Sequence, residues 1–308
     1  MVTSIHLCTI LLPDVTRVGN PKSQSAVFQR GKLWGVGDVI NVSFLNPDYK
    51  GLEWEFSLDE IAAYVPANDM QIEKDARAAA ETSYADAFKL VIQTKVIPIV
   101  PTLTINFVES GGDVVVRFLD GGGSASTVGT DCKLHQDNYT LTLGWLDVGT
   151  IIHEFSHALG MLHEHQNPTE TIHWNRDAVI QYYQSTQSPP WSVAQIEANI
   201  LDPVDPASVF YSTYDPNSVM LYFFPASLTT DGKGTNPNFR YSATDIAYLR
   251  KMYDVRAPIP SSYILTPTAA AGLANDNGSI STGSSGIIWI IVVVAVVLML
   301  IILFLVLR

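Results

Sequence analysis

Three histidines set four and six residues apart constrain this chain more than any other feature: His153-Glu-Phe-Ser-His157-Ala-Leu-Gly160-Met-Leu-His163. Residues four apart on an α-helix lie one turn apart on one face. A helix through this segment therefore aims the imidazoles of His153 and His157 at one point and sets Glu154 beside them. His163 lies too far along such a helix to join them, so the chain has to stop and turn back. Gly160 stands where the stop must fall, since glycine takes up the left-handed backbone that ends helices at little steric cost.

Three neutral imidazoles are the ligand count of a catalytic zinc, which keeps a fourth position open to water; structural zinc sites are closed by four protein ligands. A coordinated water is acidified to a pKa of about 7, and a carboxylate at the position of Glu154 can take its proton and later return it to a leaving amine. A bare His-Glu-x-x-His arises by chance on many amphipathic helices. Here it is extended by Gly160 and His163 and followed by Ser218-Val-Met220-Leu-Tyr222. A methionine turn after a three-histidine motif marks the metzincin zinc peptidases.

The flanking sequence reads as α+β. Alternating apolar positions predict a first strand at 33–45, and further strands are read at 103–108, 113–119 and 140–145, the last just before the histidine helix. Apolar residues recurring at threes and fours from Ile72 to Val91 predict one long backing helix over 72–92. The stretch GGGSASTVG from Gly121 to Gly129 reads as a loop that brings backbone close to another group. Ser242-Ala-Thr-Asp245 is a capping box that opens a closing helix over 242–253. Residues 1–30 show no sustained period and read as an N-terminal extension. The catalytic domain is expected over 31–257, split by its cleft into halves of about 31–163 and 164–257.

Beyond it, residues 258–286 turn to Pro, Ala, Ser, Thr, Gly and Asn, the composition of a flexible stalk. Residues 287–307 then run without a charge or proline. At about 1.5 Å per residue that run is roughly 31 Å long as a helix, the thickness of a bilayer's hydrocarbon core. It predicts a single transmembrane helix that anchors the C-terminus unless an N-terminal signal directs secretion first. Residues 5–12 (IHLCTILL) are apolar but short, lack a preceding basic residue and run into Pro13 without a small-residue cleavage site, which argues against such a signal. Which side of the membrane the domain faces stays open.

A net charge of −12, from 18 Lys and Arg against 30 Asp and Glu, does not suggest the clustered basic face that phosphates need and argues against nucleic acid as a partner. Cys8 and Cys132 are the two cysteines, too few for a disulfide scaffold and pointing to a reducing compartment or an unusual exterior one. The sequons at Asn41, Asn138 and Asn277 matter only for a lumenal domain. Oligomeric state is not encoded in any pattern found.

Over residues 33–253 the sequence resembles the astacin family of metallopeptidases, in particular its cysteine-poor bacterial and fungal branch. The resemblance rests on SASTVGTD before TLTLGW, on HEFSHALGMLHEHQNP, and on SVMLY followed by SATDIAYLRKMY. It implies a metzincin-type fold with a mixed twisted sheet, a backing helix, an active-site helix and an irregular C-terminal half ending in a helix. One catalytic Zn2+ would be held by His153, His157 and His163, with Glu154 as general base. Met220 would form the structural Met-turn, and Tyr222 would be a candidate fifth ligand that stabilises the transition state. Strand 113–119 would be the edge beside the cleft, pairing antiparallel with an extended protein or peptide substrate; a covered edge is the alternative. Glu164 stands where the family uses a glutamate to hold the mature N-terminus.

The chain departs from the family in having Leu221 where a histidine is usual, which alters packing and not metal binding, and in showing no aspartate-bearing propeptide. Cys8 is open to three readings: an unpaired residue, a thiolate cap on the zinc, or a bridge to Cys132. His165 and His173 read as surface or supporting residues because three ligands are already in hand, and His6 and His135 lack ligand spacing. Tyr182, Tyr183 and Trp191 read as core. The function expected is a membrane-tethered zinc endopeptidase. The competing reading is a non-catalytic membrane-anchored interaction or structural protein that retains the fold.

Overall fold

The computed structural model describes residues 8–10, 27–121, 123–135, 138–187 and 189–256. The elements come in the order β1 (Cys8–Ile10), β2 (Val27–Gln29), β3 (Val39–Phe44), α1 (Leu58–Ile61), α2 (Ala67–Thr82), α3 (Tyr84–Val91), β4 (Thr104–Phe107), β5 (Val114–Phe118), β6 (Ser124–Ser126), β7 (Leu141–Leu143), α4 (Val148–Ala158), α5 (Arg176–Thr186), α6 (Val193–Ile196), β8 (Val209–Tyr211) and α7 (Ala243–Met252). Six strands form a mixed sheet in the order β1-β6-β7-β5-β3-β4, parallel throughout except where β6 runs antiparallel to β7. A separate two-stranded ribbon pairs β2 with β8.

Four expectations need correction. Strand 113–119 is not an edge: β5 is bonded on one side to β3 (Val42 opposite Val114) and on the other to β7 (Val116 opposite Leu141). Its continuous Val114-Val115-Val116 run, buried on both faces, is the pattern of an interior parallel strand. The antiparallel strand near the rim is β6, which lies inside the glycine and serine stretch read as a loop; three small residues carry no alternation to betray it. Its outer edge is filled by β1, which pairs Cys8 with Ser124 and Ile10 with Ser126. Residues 1–30 are thus not wholly an extension, since they supply β1 and β2.

The backing helix over 72–92 is in fact two. Ser83 has φ −156° and ψ 137°, ending α2 through its N–H to Ala79 O and capping α3 by accepting from Ala85 N at 3.1 Å. A serine whose side chain replaces the missing helical partner is favoured at such a junction. Both helices still pack on the sheet: Ala76, Ala80, Ala87, Phe88 and Val91 join Ile40, Val116, Leu141 and Phe155 in one buried core. A smaller cluster holds Val179, Tyr183, Ile196, Tyr222, Phe224 and Leu228 in the half after His163, where Tyr183 stacks on Trp191 at 5.5 Å, as a core reading of these aromatics requires.

Cys132 is a free, fully buried thiol directed at Thr127 O, so the bridge to Cys8 is not formed. Burial pushes that thiol up to about 12. No helix among the described residues is long and apolar enough to cross a membrane, and the run 287–307 lies outside them, as do the stalk and His6.

Candidate metal centre

Local sequence sets up the helix that carries the first two histidines. Asp147 caps α4 by accepting from Thr150 N at 2.7 Å and from the Thr150 hydroxyl at 2.6 Å. Phe155, Ile151 and Ile152 anchor the helix in the main core with no exposure. At its far end Gly160 takes φ +90°, its N–H donates to His157 O at 2.7 Å, and Met161 N reaches back to Ser156 O at 2.9 Å. This is the left-handed stop that the glycine predicted.

The turn does more than reverse the chain. Met161 O accepts from His157 Nδ1 at 2.7 Å, and Val219 O, in the methionine turn, accepts from His153 Nδ1 at 2.8 Å. A carbonyl can only accept, so both Nδ1 atoms carry the proton and both Nε2 atoms present lone pairs. His153 Nε2 is buried and has no hydrogen-bond partner. The Nε2 atoms of His157 and His163 lie 3.1 Å apart, and the donor atoms of all three residues fall within 4.8 Å of one another. Burial holds His153 down to about 4 and keeps His157 and His163 well below the usual histidine range, so all three are neutral at pH 7. Converging, buried lone pairs on neutral imidazoles would repel one another without a cation between them, and a tetrahedral zinc with ligands at about 2.0–2.1 Å suits that spacing. The residues fit the ion.

Glu154 is fully buried and lines the same cavity as His153 and Tyr222. The Tyr222 hydroxyl lies 2.6 Å from His163 Nε2, and its ring stacks at 4.9 Å on His165. His165, buried and turned to Asn199 O at 3.0 Å, is thus a wall of the site and not a ligand, whereas His173 is exposed and apart from it. Met220 is fully buried in the main core, and its carbonyl accepts from Glu164 N at 3.0 Å, tying the third ligand's neighbour to the turn. Glu164 accepts from Asp215 N at 2.7 Å and from Asn167 Nδ2 at 3.0 Å; burial pushes it up to about 9.

Three acidic residues of the site were not singled out by sequence for the parts they play. Asp245 does double duty: besides capping α7, it accepts from the Ser218 hydroxyl at 2.7 Å and from Val219 N at 2.9 Å, bracing the carbonyl that orients His153. The capping box was visible in the sequence, but its tertiary partners were not. Asp147 had a local signal, an aspartate three residues before Thr150 at a helix start. Glu55, which shares the cavity with it, had none.

The fold and the ligand set define a zinc-dependent hydrolase of the three-histidine type. The family model described as Astacin, a family of peptidases, matches residues 79–253. The chain belongs to the astacin family and is a metalloendopeptidase whose metal is zinc. Among solved structures, one of myroilysin is similar at 29% identity and a TM-score of 0.53, covering 74% of this chain and 98% of that one. High choriolytic enzyme 1, a hatching enzyme zinc-protease from the medaka fish Oryzias latipes, aligns at 18% identity and a TM-score of 0.36, covering 71% of this chain and 90% of that one. No curated protein matches the chain.

Proposed function

We propose that this chain cleaves extended polypeptides at the His153–His157–His163 centre while tethered to a membrane by its C-terminus. The observation that carries the catalytic part is the pair of imidazoles whose Nδ1 protons are held by Val219 O and Met161 O, leaving Nε2 lone pairs turned toward one point with Glu154 in the adjoining cavity. Zinc bound there supplies Lewis acidity and a water that is nucleophilic at neutral pH. Glu154 takes the proton from the attacking water and passes it to the departing amine. Tyr222, held between His163 and His165, offers its hydroxyl to the oxygen that gains charge in the transition state. The chain divides into a catalytic domain through residue 257, a stalk over 258–286 and an anchor over 287–307, the last supported by its unbroken apolar run.

Full-length protein is expected to retain one zinc per chain and to degrade casein. Glu154→Ala should keep the metal and lose activity by about 10²–10⁴-fold. Full zinc occupancy with no cleavage of any protein would sink the catalytic reading. The tether is tested separately: alkaline carbonate should leave the chain in the membrane pellet, and deletion of 287–307 should release it. Protease added to intact vesicles then reports which side the domain faces.

A further inference from the structure

Tyr222 lies outside any helix or strand, so its ring depends on neighbouring side chains for its place. Two of the rings around it belong to metal ligands: His163 at 4.4 Å and His153 at 5.9 Å between centroids. Another, His165, is no ligand, yet it lies 4.9 Å from Tyr222 and only 27° from parallel. It also stacks on His163 at 5.3 Å, so His163, Tyr222 and His165 close a triangle of rings. Phe224 backs His165 edge-on at 5.2 Å and meets Tyr222 at a tilt of 60°.

His165 is itself held from outside that triangle. A carbonyl only accepts, so Nε2 carries the ring's proton and donates to Asn199 O at 3.0 Å. The next residue, Gln166, donates from its own Nε2 to Ala198 O and Asp202 O, both at 3.0 Å, and its carbonyl accepts from Val204 N at 3.0 Å. Residues 198–204 thus grip the 165–166 pair, and the bond to Asn199 O sets the angle of the imidazole. His165 Nδ1 is left with a lone pair that is buried and has no hydrogen-bond partner. A leucine or phenylalanine filling the same space would carry no such penalty. What the histidine adds is a flat face fixed at its edge.

We propose that His165 is a positioning residue for peptide hydrolysis: its ring, fixed by Asn199 O, presses on the Tyr222 phenol and keeps the hydroxyl at the metal point. This rests on the peptidase reading above and names what holds Tyr222 in place during turnover. The hydroxyl lies 2.6 Å from His163 Nε2, at the far end of a side chain that pivots about its Cα–Cβ bond. A small rotation there carries the hydroxyl off target, and His165 is the non-ligand ring laid nearly flat against it. Geometry of this kind acts on the transition state and not on the capture of substrate, because the hydroxyl serves the oxygen only as charge builds on it.

Two measurements on full-length protein in detergent decide it. In the zinc-loaded form, His165→Leu, which removes the flat face, should lower kcat about tenfold with KM unchanged, and His165→Phe, which restores a ring, should recover most of the loss. In a Tyr222→Phe background the same His165→Leu change should have almost no further effect, because the hydroxyl it positions is gone. Equal losses in the two backgrounds mean that His165 only fills space, and overturn the proposal. The second measurement reads no turnover. Copper(II), which suits imidazole ligands, gives a visible charge-transfer band where a tyrosine oxygen reaches it. That band should vanish in Tyr222→Phe, fade in His165→Leu at equal copper content and return in His165→Phe. A wild type without the band, or an undiminished band in His165→Leu, also overturns the proposal. No cleavage by any form, with the band still governed by residue 165, sinks the peptidase reading instead and leaves the placement of Tyr222 standing.

Discussion

His153, Glu154 and His157 ride on a helix driven into the main core, whereas His163 and Tyr222 sit on chain without regular structure, next to the smaller cluster around Tyr183. On the helix side, ligand geometry is a by-product of the 3.6-residue repeat, and any sequence that keeps α4 folded keeps the two imidazoles one turn apart. On the loop side nothing repeats. Position there comes from single hydrogen bonds: Glu164 N to Met220 O, Tyr222 to His163, and Val219 N to Asp245. Periodic structure makes a site robust, and irregular structure makes it depend on particular atoms.

That contrast can be broken most sharply at Tyr222. Tyr222→Phe removes one hydroxyl from the loop side and should lower kcat by about 10²–10³-fold with zinc retained, as loss of a transition-state donor does. Loss of zinc instead would make the tyrosine a structural support. Next in size is the link between the sides. Asp245→Ala removes the brace behind Val219 O and should weaken zinc affinity by about 10–100-fold in a competition titration with a chromogenic chelator. An unchanged affinity would mean that the helix alone aims His153. Gly160→Ala forces a side chain into φ +90° and toward Leu33 Cδ2 at 3.0 Å, and should cost about 1–2 kcal/mol in denaturant midpoint.

The smallest expected effect lies away from the metal, at Glu73. Burial and Asp147 raise its carboxyl from 4.5 to about 8, so the folded chain keeps a proton that the unfolded chain has released. Stability from this group is therefore lost as pH climbs from about 4.5 to about 8. Glu73→Gln should melt at an increasingly higher temperature than wild type over that window. A constant difference between pH 5 and pH 8 would show that Glu73 does not titrate there.

The same contrast decides what the sequence made legible. The helix side was readable because His153, His157 and Gly160 obey helix periodicity and its termination, and the Met-turn and Tyr222 were readable through a motif. Strand β5 was correctly found but wrongly placed at an edge, since an apolar run tells of burial on two faces and not of neighbours. Strand β6 and its partner β1 escaped notice because three-residue strands owe their existence to what lies beside them. The break at Ser83 escaped because the apolar spacing continues across it. Glu55 and Asp245 act through contacts with residues far off in the chain, to which no local pattern points.

The brace from Asp245 to Val219 also bears on how the protein is made. All three histidines leave the ribosome well before residue 245, yet the carboxylate that steadies the first of them belongs to the last helix of the domain. A nascent chain halted in between would carry every ligand and still hold its metal loosely. Firm zinc retention is in this sense a receipt for complete synthesis of the domain.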